Sequence, residues 1–500
     1  MTLARAVLIA ALVLGALGDA LLRAVPWGLN LYLWSGILLT AVIVLAAGNG
    51  SVATRETRWL VIPAACFAAT FAWRDAPILQ GLNLLALLSA LALLSVATLR
   101  ASSGGVRFAG FRDYVRGAVG AGVGALTGFV PLAVRDSRLG EAVRGRGTPL
   151  RHAVAMGRGL LITLPLLLGF TGLFMGADAV FARSVTDLVP DFDRLLGHAS
   201  LAGLFAWLAG GYLRGVLLDR RPLIPAGKDL ELSLGPIETT VLLGLLNLLF
   251  SLFVVIQLRY LFGGAAHVET ATGLTYAEYA RRGFFELVAA SALVLPLLLF
   301  THELLRREDA KDDGIFRLLA GALLLLLFVI MASAVQRMRL YQQAYGLTQL
   351  RFYATAFMGW LFIVYLWFAA TVLRRGGTKP FAFGAVVSAW VVLAALNVAN
   401  PDAAIARTNL ARARAGGQFD PSYVARLGAD AVPELLAALP NLDATDRCEV
   451  ARRVRRRWMR VERVDWRTWN WARAHARQAV RERAALLRQT ICAMKPAREQ

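Results

Sequence analysis

Long apolar runs alternate with short charged or turn-rich segments along the first four hundred residues of the chain. A helix needs roughly 20 apolar residues to cross the hydrocarbon core of a bilayer, and eleven runs approach or reach that length. The runs cover residues 6–23, 27–47, 59–73, 77–99, 159–177, 195–217, 239–261, 284–300, 315–335, 352–372 and 380–397. The pattern therefore predicts an all-α, polytopic transmembrane helix bundle of about 11 spans.

Two further segments bear on this count. Residues 117–134 are glycine-rich but uncharged, so a twelfth span is an alternative. The first run continues to Leu22 without a small-residue cleavage pattern, which favours a retained helix over a signal peptide.

After Asn397 the composition becomes that of a water-facing helical appendage, in which Asp420, Asp443 and Asp465 are candidate helix caps. We divide the chain into an N-terminal four-span region (1–99), a basic, glycine-rich cytoplasmic loop (100–158), a seven-span core (159–397) and a basic helical C-terminal appendage (398–500).

Composition supports a membrane protein and excludes a single water-soluble core. Hydrophobic residues make up 57% of the chain and charged residues 17%, against roughly 25% charged in soluble proteins. The formal charge of +21 comes almost entirely from arginine, and this arginine bias is typical of a GC-rich bacterial genome.

Loop charges predict the orientation, because loops rich in Lys and Arg tend to stay in the cytoplasm. With the N-terminus cytoplasmic, the inner loops carry most of the basic loop residues. Eleven spans then place the C-terminal region outside the plasma membrane. The arginine-rich segment 447–488 would favour the cytoplasm, but long domains translocate largely regardless of charge.

Polar residues at membrane depth are costly, so their positions are informative. In the segment TYAEYARRGFFELV, Glu278, Arg282 and Glu286 recur every four residues and share one helix face. This spacing fits an ion-pair ladder that anchors the helix. The alternative is that Arg281, Arg282 and Glu286 line a site at the membrane boundary.

The segment QRMRLYQQAYGLTQLR contains a second candidate site. Arg337, Tyr341 and Tyr345 share a helix face, Gly346 is placed to end that helix, and Thr348 is placed to cap the next. Tyrosines near an arginine are typical of an interfacial anchor. The alternative is an anion site, in which Arg337, Arg339 and Arg351 bind phosphate, pyrophosphate or carboxylate.

Two further stretches lie on the same side of the predicted bundle. In NVANPDAAIARTNLAR, Asn400 or Asp402 can cap a helix that carries Arg407 and Asn409. Asp178 lies at the outer end of the fifth span. We therefore expect these side chains to converge with the two arginine-containing segments at one membrane face.

Five ordered motifs carry a resemblance to a known family. GADAVF, VVIQLRYLFGG, TYAEYARRGFFELV, RMRLYQQAYGLTQLRFYA and NPDAAIARTNLAR span about residues 160–440. Together they resemble the bacterial integral-membrane family catalogued as domain of unknown function 4173. The resemblance implies a polytopic bacterial membrane protein and supplies no activity or catalytic residue.

Chemical motifs point to no cofactor and no metal. The five histidines are scattered, the three cysteines form no CxxC pair, and no Walker P-loop or GxSxG elbow occurs. Tryptophans among arginines near the C-terminus favour anionic lipid over nucleic acid as a partner, because the chain is held in a bilayer. Protein partners and catalytic residues stay unassigned.

Three function classes fit these observations. The first is a membrane scaffold, sensor or envelope-associated protein. The second is an intramembrane transferase acting on a lipid-linked or anionic substrate at the extracytoplasmic face. The third is a transporter, although few polar residues lie within the spans.

Overall fold

The structure is a computed structural model of the 500-residue chain. It describes residues 2–48, 55–99, 106–137, 169–188, 191–219, 234–262, 283–306, 310–374, 379–459 and 465–489, with four isolated positions between 156 and 167. Throughout these residues the chain is built from helices and loops, with one isolated bridge between Leu234 and Leu305.

Long apolar helices form the bundle, and the prediction of an all-α polytopic fold is confirmed. Among the described residues, nine helices are long and apolar enough to cross a bilayer. The bundle helices are α1 Leu3–Leu22, α2 Leu29–Gly48, α3 Arg55–Trp73, α4 Pro77–Leu99, α5 Phe111–Thr127, α6 Phe129–Asp136, α7 Ala179–Leu188, α8 Phe192–Leu217, α9 Pro236–Phe262, α10 Phe284–Leu304, α11 Ala310–Tyr345, α12 Gln349–Leu373 and α13 Lys379–Ala399.

These helices cover ten of the eleven predicted spans. The short third span corresponds to α3, whose apolar part is Trp59–Trp73. The fifth predicted span, residues 159–177, is described only from 169 onward and at isolated positions before it, so the total of eleven stays a prediction.

Helices α5 and α6 form a bent pair at the predicted twelfth span. Their axes differ by 54° across Gly128. A Cβ on Gly117 would meet Val96 near the end of α4, and the carbonyl of Ser137 accepts a hydrogen bond from Arg5 Nε at 3.1 Å near the start of α1. Both ends of the pair therefore lie at the same face of the bundle, as in a re-entrant helix pair.

We call the two ends of the bundle its N-terminal face and its C-terminal face. The N-terminal face holds the start of α1 and the ends of α2, α4 and α8. The C-terminal face holds the α1–α2, α3–α4 and α11–α12 connections and the end of α13. Hydrogen bonds show this grouping, because Leu29, Asp75 and Leu347 all bond to residues that follow α13.

Among the described residues, apolar packing creates two large cores within the bundle and a third outside it, besides a small bundle cluster of Leu21, Leu22, Leu31 and Phe71. One core joins α1–α6 with α8 and part of α13, and the second joins α9–α12 with the start of α13. The third core belongs to the C-terminal domain, which we define as residues 401–459 and 465–489. Its helices are α14 Pro401–Arg414, α15 Pro421–Val424, α16 Val432–Ala438, α17 Ala444–Trp458, α18 Trp471–Glu482 and α19 Ala484–Gln489.

Two of the helix caps predicted for the C-terminal domain are confirmed, and one is not. Asp420 and Asp443 accept hydrogen bonds from backbone N–H groups in the first turns of α15 and α17, as predicted. Asp465 caps only a short 3₁₀ turn, and Asn470 caps α18. The expectation that Asp465 starts the last helix is wrong, because the chain is extended again at Trp469.

Candidate functional site

A buried ion pair joins the bundle to the C-terminal domain. Arg74 lies in the three-residue connection between α3 and α4, and its Nη1 donates to Asp430 Oδ1 at 2.9 Å. The side chains are 7% and 1% exposed. Arg74 Nε also donates to the carbonyl of Asn397 at 2.7 Å, and Asp430 Oδ2 accepts from the N–H of Asp75 at 2.9 Å. The pair is thus hydrogen-bonded on both sides, as buried charges require.

A second ion pair lies beside the first. Arg473 Nη1 donates to Asp75 Oδ1 at 2.6 Å. Its Nη2 donates to the carbonyls of Trp27 and Thr468, at 3.1 and 2.7 Å. One guanidinium from α18 therefore holds the α1–α2 connection, the α3–α4 connection and its own domain together.

Asp402 is the third carboxylate of this region, and it is fully buried. Its Oδ1 accepts from Gln349 Nε2 at 2.8 Å, and its Oδ2 accepts from the N–H of Gly428 at 2.7 Å. Gly428 packs so tightly that a Cβ there would lie 2.0 Å from the carbonyl oxygen of Asp75. Asp402 thereby connects the start of α12 to the domain. We call Arg74, Asp75, Asp402, Asp430 and Arg473 the junction network.

Asparagine side chains extend the polar contacts from the junction network into the bundle. Asn83 and Asn397 donate to each other's amide oxygen at 2.9 and 2.8 Å. Asn470 donates to the carbonyls of Phe71 and Arg74, near the end of α3. Buried amides are stable in apolar surroundings only when they are paired, and here each has partners.

Charges within the junction network do not balance when every group is ionised, because three carboxylates face two guanidinium groups. Burial raises the pKa of the Asp75 carboxyl, outweighing the opposing effect of Arg473. Burial likewise raises the pKa of Asp402 despite its hydrogen bonds from Gln349 and Gly428. Burial lowers the pKa of Arg473, against the effect of Asp75. Asp75 and Asp402 therefore each bind a proton more readily than a free aspartate does.

Arg351, one of the three arginines of the alternative anion site, contacts the end of α11. Its guanidinium carbon lies 3.8 Å from the ring centroid of Tyr341, whose ring is 5.2 Å from that of Tyr345. Arg351 Nη1 donates to the carbonyls of Tyr345 and Gly346. A cation at these carbonyls is favourable, because the last turn of a helix carries a partial negative charge.

Helix α14 completes this cap. Asn409 accepts from the N–H of Leu347 at 2.8 Å and donates to the carbonyl of Leu347 at 2.7 Å. Arg412 Nη2 donates to the carbonyls of Gln343 and Ala344. Gly346, at φ +77°, permits the chain to turn here. The α11–α12 connection is therefore fixed by side chains from the C-terminal domain.

Other predicted residues lie in separate places. Arg337 Nη1 is 3.4 Å from where a Cβ of Gly283 would lie, next to the first turn of α10, which carries an exposed Glu286. Arg339 lines a groove of about 540 Å³ between α11 and α12. Asp178 is exposed and caps α7 through two backbone N–H groups. Glu278, Arg281 and Arg282 lie outside the described residues.

The expected helix start at Asn400 or Asp402 is confirmed in position, but neither side chain caps the helix. Asn400 holds the N-cap position of α14 in a left-handed conformation, with φ +54°, and its side chain makes no capping hydrogen bond. Asp402 is directed to Gln349 and Gly428, outside its own helix. Arg407 lies on the exposed side of α14, with Nη1 3.5 Å from Glu434 Oε1.

The structure thus brings together Tyr341, Tyr345, Arg351, Asp402 and Asn409 at the C-terminal face. Four charged residues of the junction network were not among the predicted site residues, namely Arg74, Asp75, Asp430 and Arg473. One sequence signal was available, because Arg74 and Asp75 are adjacent opposite charges between the third and fourth predicted spans.

Comparison with known proteins identifies one family. The family model described as Domain of unknown function (DUF4153) matches residues 61–438. The resemblance to family 4173 is not confirmed, whereas similarity to a family without established function is. No curated protein and no solved structure matches the chain.

Proposed function

Since this chain belongs to the family described as Domain of unknown function (DUF4153), whose description states no activity, we propose a function from its structure. It is a multi-pass integral membrane protein. In our proposal it acts as a scaffold or sensor of the bacterial plasma membrane. Its bundle holds the C-terminal domain in a fixed position at the extracytoplasmic face, where envelope components are accessible.

The buried junction network carries this proposal. A flexibly tethered domain needs no buried charges at its attachment, whereas here two ion pairs and Asp402 connect the domain to three interhelical connections of the bundle. Breaking one of these pairs while its other member stays buried leaves an uncompensated charge, which is strongly destabilising. Such rigid attachment suits a domain whose position must be communicated to, or set by, the membrane spans.

Two observations support an extracytoplasmic C-terminal domain. Basic loop residues favour a cytoplasmic N-terminus, and the C-terminal domain lies at the opposite face of the bundle from the start of α1. In addition, Cys448 of α17 is disulfide-bonded. Disulfides persist in oxidising compartments such as the bacterial periplasm.

Single-cysteine labelling tests this orientation. Cys66 is exposed and free, so the background is Cys66→Ser with the disulfide retained. Gln418 and Thr2 are both exposed, so a cysteine at either position can react once the reagent reaches it. We expect an impermeant thiol reagent to label Gln418→Cys in intact cells and to label Thr2→Cys only after lysis. Labelling of Thr2→Cys but not Gln418→Cys in intact cells would overturn the orientation. Labelling of the background itself would show that Cys448 is reduced.

Photo-crosslinking in cells tests the scaffold role. A photoreactive residue at exposed Gln418 should give discrete adducts with an envelope component. The same label in an Arg74→Met chain, in which attachment is weakened, should give fewer adducts at equal protein level. Adduct yields that do not depend on Arg74 contradict a role that needs the fixed position.

One observation favours the transferase alternative. The groove between α11 and α12 is lined by apolar side chains and by Gln336, Arg339 and Thr355, which suits a lipid-linked anion. If Arg339 binds a phosphate in bidentate fashion, Arg339→Lys should reduce stabilisation by lipid pyrophosphates even though the charge is kept. Equal thermal stabilisation of the two proteins would remove the support for this alternative.

A further inference from the structure

A cleft of about 380 Å³ opens where α3 and α13 meet the C-terminal domain. Trp73 at the end of α3 and Val398 near the end of α13 line it on the bundle side. Trp471 and His475 of α18 line it on the domain side, with their rings stacked at 5.1 Å. Because two spans end here, the cleft lies at the level of the lipid headgroups, where tryptophan is enriched.

Asn400 lines this cleft and carries an acceptor that has no donor among the described residues. Its Oδ1 is buried and accepts no hydrogen bond. Its backbone is held in place, because its N–H donates to the carbonyl of Leu396 and its carbonyl accepts from the N–H of Ala404. A buried acceptor without a donor is destabilising, so the site favours an occupant that supplies an N–H or O–H group.

Charges around the cleft suit a zwitterion better than an anion. The charge of Arg74 is already matched by Asp430. Arg407 and Glu434 form a loose pair at 3.5 Å, with the arginine side chain 58% exposed. A phosphate can bind Arg407 while an ammonium group binds Glu434 and Asn400. Trp73 already has the guanidinium carbon of Arg74 4.2 Å from its ring centroid and Trp471 stacks on His475, so a further cation can contact only the other faces of these partly exposed rings.

The surroundings of the cleft favour an occupant with acyl chains. Val398 is 71% exposed, although it lies within the last turn of a membrane-spanning helix. An apolar side chain at that depth contacts lipid tails.

We propose that the cleft binds the headgroup of a zwitterionic phospholipid that carries a primary amine, as in phosphatidylethanolamine. The amine donates to Asn400 Oδ1 and pairs with Glu434, and the phosphate binds Arg407. A quaternary amine has no N–H group, so phosphatidylcholine leaves Asn400 unpaired. Phosphatidylglycerol supplies hydroxyl donors but no cation for Glu434 and the tryptophans.

Native mass spectrometry of the full chain in detergent, with each of the three lipids added at defined concentration, tests the proposal. We expect phosphatidylethanolamine to bind about tenfold more tightly than phosphatidylcholine, as one charge-assisted hydrogen bond would give. Equal binding of the two lipids, or tighter binding of phosphatidylglycerol, would overturn the assignment. Soluble phosphoethanolamine should bind much more weakly than the lipid, and equal binding would identify a soluble ligand instead.

Asn400→Gly is the matching variant, because glycine adopts the left-handed conformation freely and the substitution removes the carboxamide that carries the acceptor. We expect it to abolish the preference for ethanolamine over choline. The control is Arg194→Gln. It breaks the exposed pair between Arg194 and Asp191, whose 3.5 Å separation equals that of Arg407 and Glu434 in the cleft. This control should keep the full preference. A preference that survives in Asn400→Gly contradicts the proposal, and the comparison of lipids on the wild type stands even if a variant folds poorly.

Discussion

Replacement of Arg74 by methionine is the sharpest perturbation of the junction network. It removes the donor to Asp430 at 2.9 Å and the donor to the carbonyl of Asn397 at 2.7 Å, while the apolar volume is largely kept. Breaking a buried pair by removing one partner costs about 3–5 kcal/mol, because the remaining charge stays buried. The attachment of the C-terminal domain should weaken by that amount.

The amide of Leu29 reports on this attachment. It is the first residue of α2, so its N–H has no partner within the helix, and it donates instead to the carbonyl of Trp469 at 2.8 Å. Opening of the junction exposes this amide without any direct contact to Arg74. A loss of about 3 kcal/mol should accelerate its hydrogen exchange roughly 100-fold, measured by mass spectrometry on the purified protein.

Two comparisons make the result decisive. Arg407→Met breaks the exposed pair with Glu434 and should change the exchange of Leu29 less than about fivefold. Adding Asp430→Asn to Arg74→Met removes the uncompensated charge and keeps an acceptor for Asp75, so part of the protection should return. If Arg74→Met alters the exchange of Leu29 no more than Arg407→Met does, the ion pair does not hold the domain.

Three other predictions concern separate parts of the molecule. Gly211→Ala should lower the free energy of unfolding in detergent by about 1–3 kcal/mol, because the added Cβ would lie 2.3 Å from a backbone oxygen of α5. Gly215→Ala is the control and should leave the stability unchanged, because its Cβ would meet no atom within 4 Å. Asn409→Ala should lower the free energy of unfolding by about 1–3 kcal/mol, because it leaves the N–H and the carbonyl of Leu347 in the α11–α12 connection unpaired. Thr408→Ala, at an exposed position of the same helix, should be nearly neutral in the same thermal melt. The raised pKa of Asp402 means that the folded state holds a proton more tightly than the unfolded state. Stability should therefore fall as the pH rises from about 4 through the raised pKa, and the difference between wild type and Asp402→Asn in melts across pH should show that slope; a difference independent of pH contradicts it.

The membrane spans could be predicted because the requirement behind them is local. Each helix must be continuously apolar over the hydrocarbon thickness, and this property is visible in one stretch of sequence. Some helix ends could be predicted for a similar reason. Helix α11 continues to Tyr345, ten residues past the apolar run, and ends where Gly346 turns the chain, as the position of that glycine predicted.

The junction network could not be predicted, because its pairs depend on which connections meet. Arg74 and Asp430 are 356 positions apart, and nothing in either local sequence selects the other as partner. Arg351 shows a related limit of prediction from sequence. Arg351 was assigned to a surface anchor or to an anion, but the structure directs it to backbone carbonyls of the preceding helix. A guanidinium group can bind lipid headgroups, a soluble anion or backbone carbonyls. Which of these Arg351 contacts therefore depends on where the end of α11 lies.

The order of synthesis gives the junction network a further consequence. Asp75 and Arg473 are 398 positions apart, so a ribosome working at about 5–20 residues per second makes them roughly 20–80 s apart. During that interval α1–α4 are already inserted, and the connection that carries Arg74 and Asp75 must remain hydrated at the membrane surface. The nascent protein is therefore stable in the bilayer but open at one face. Translation of α18, and not insertion of the last span, is the event that closes it.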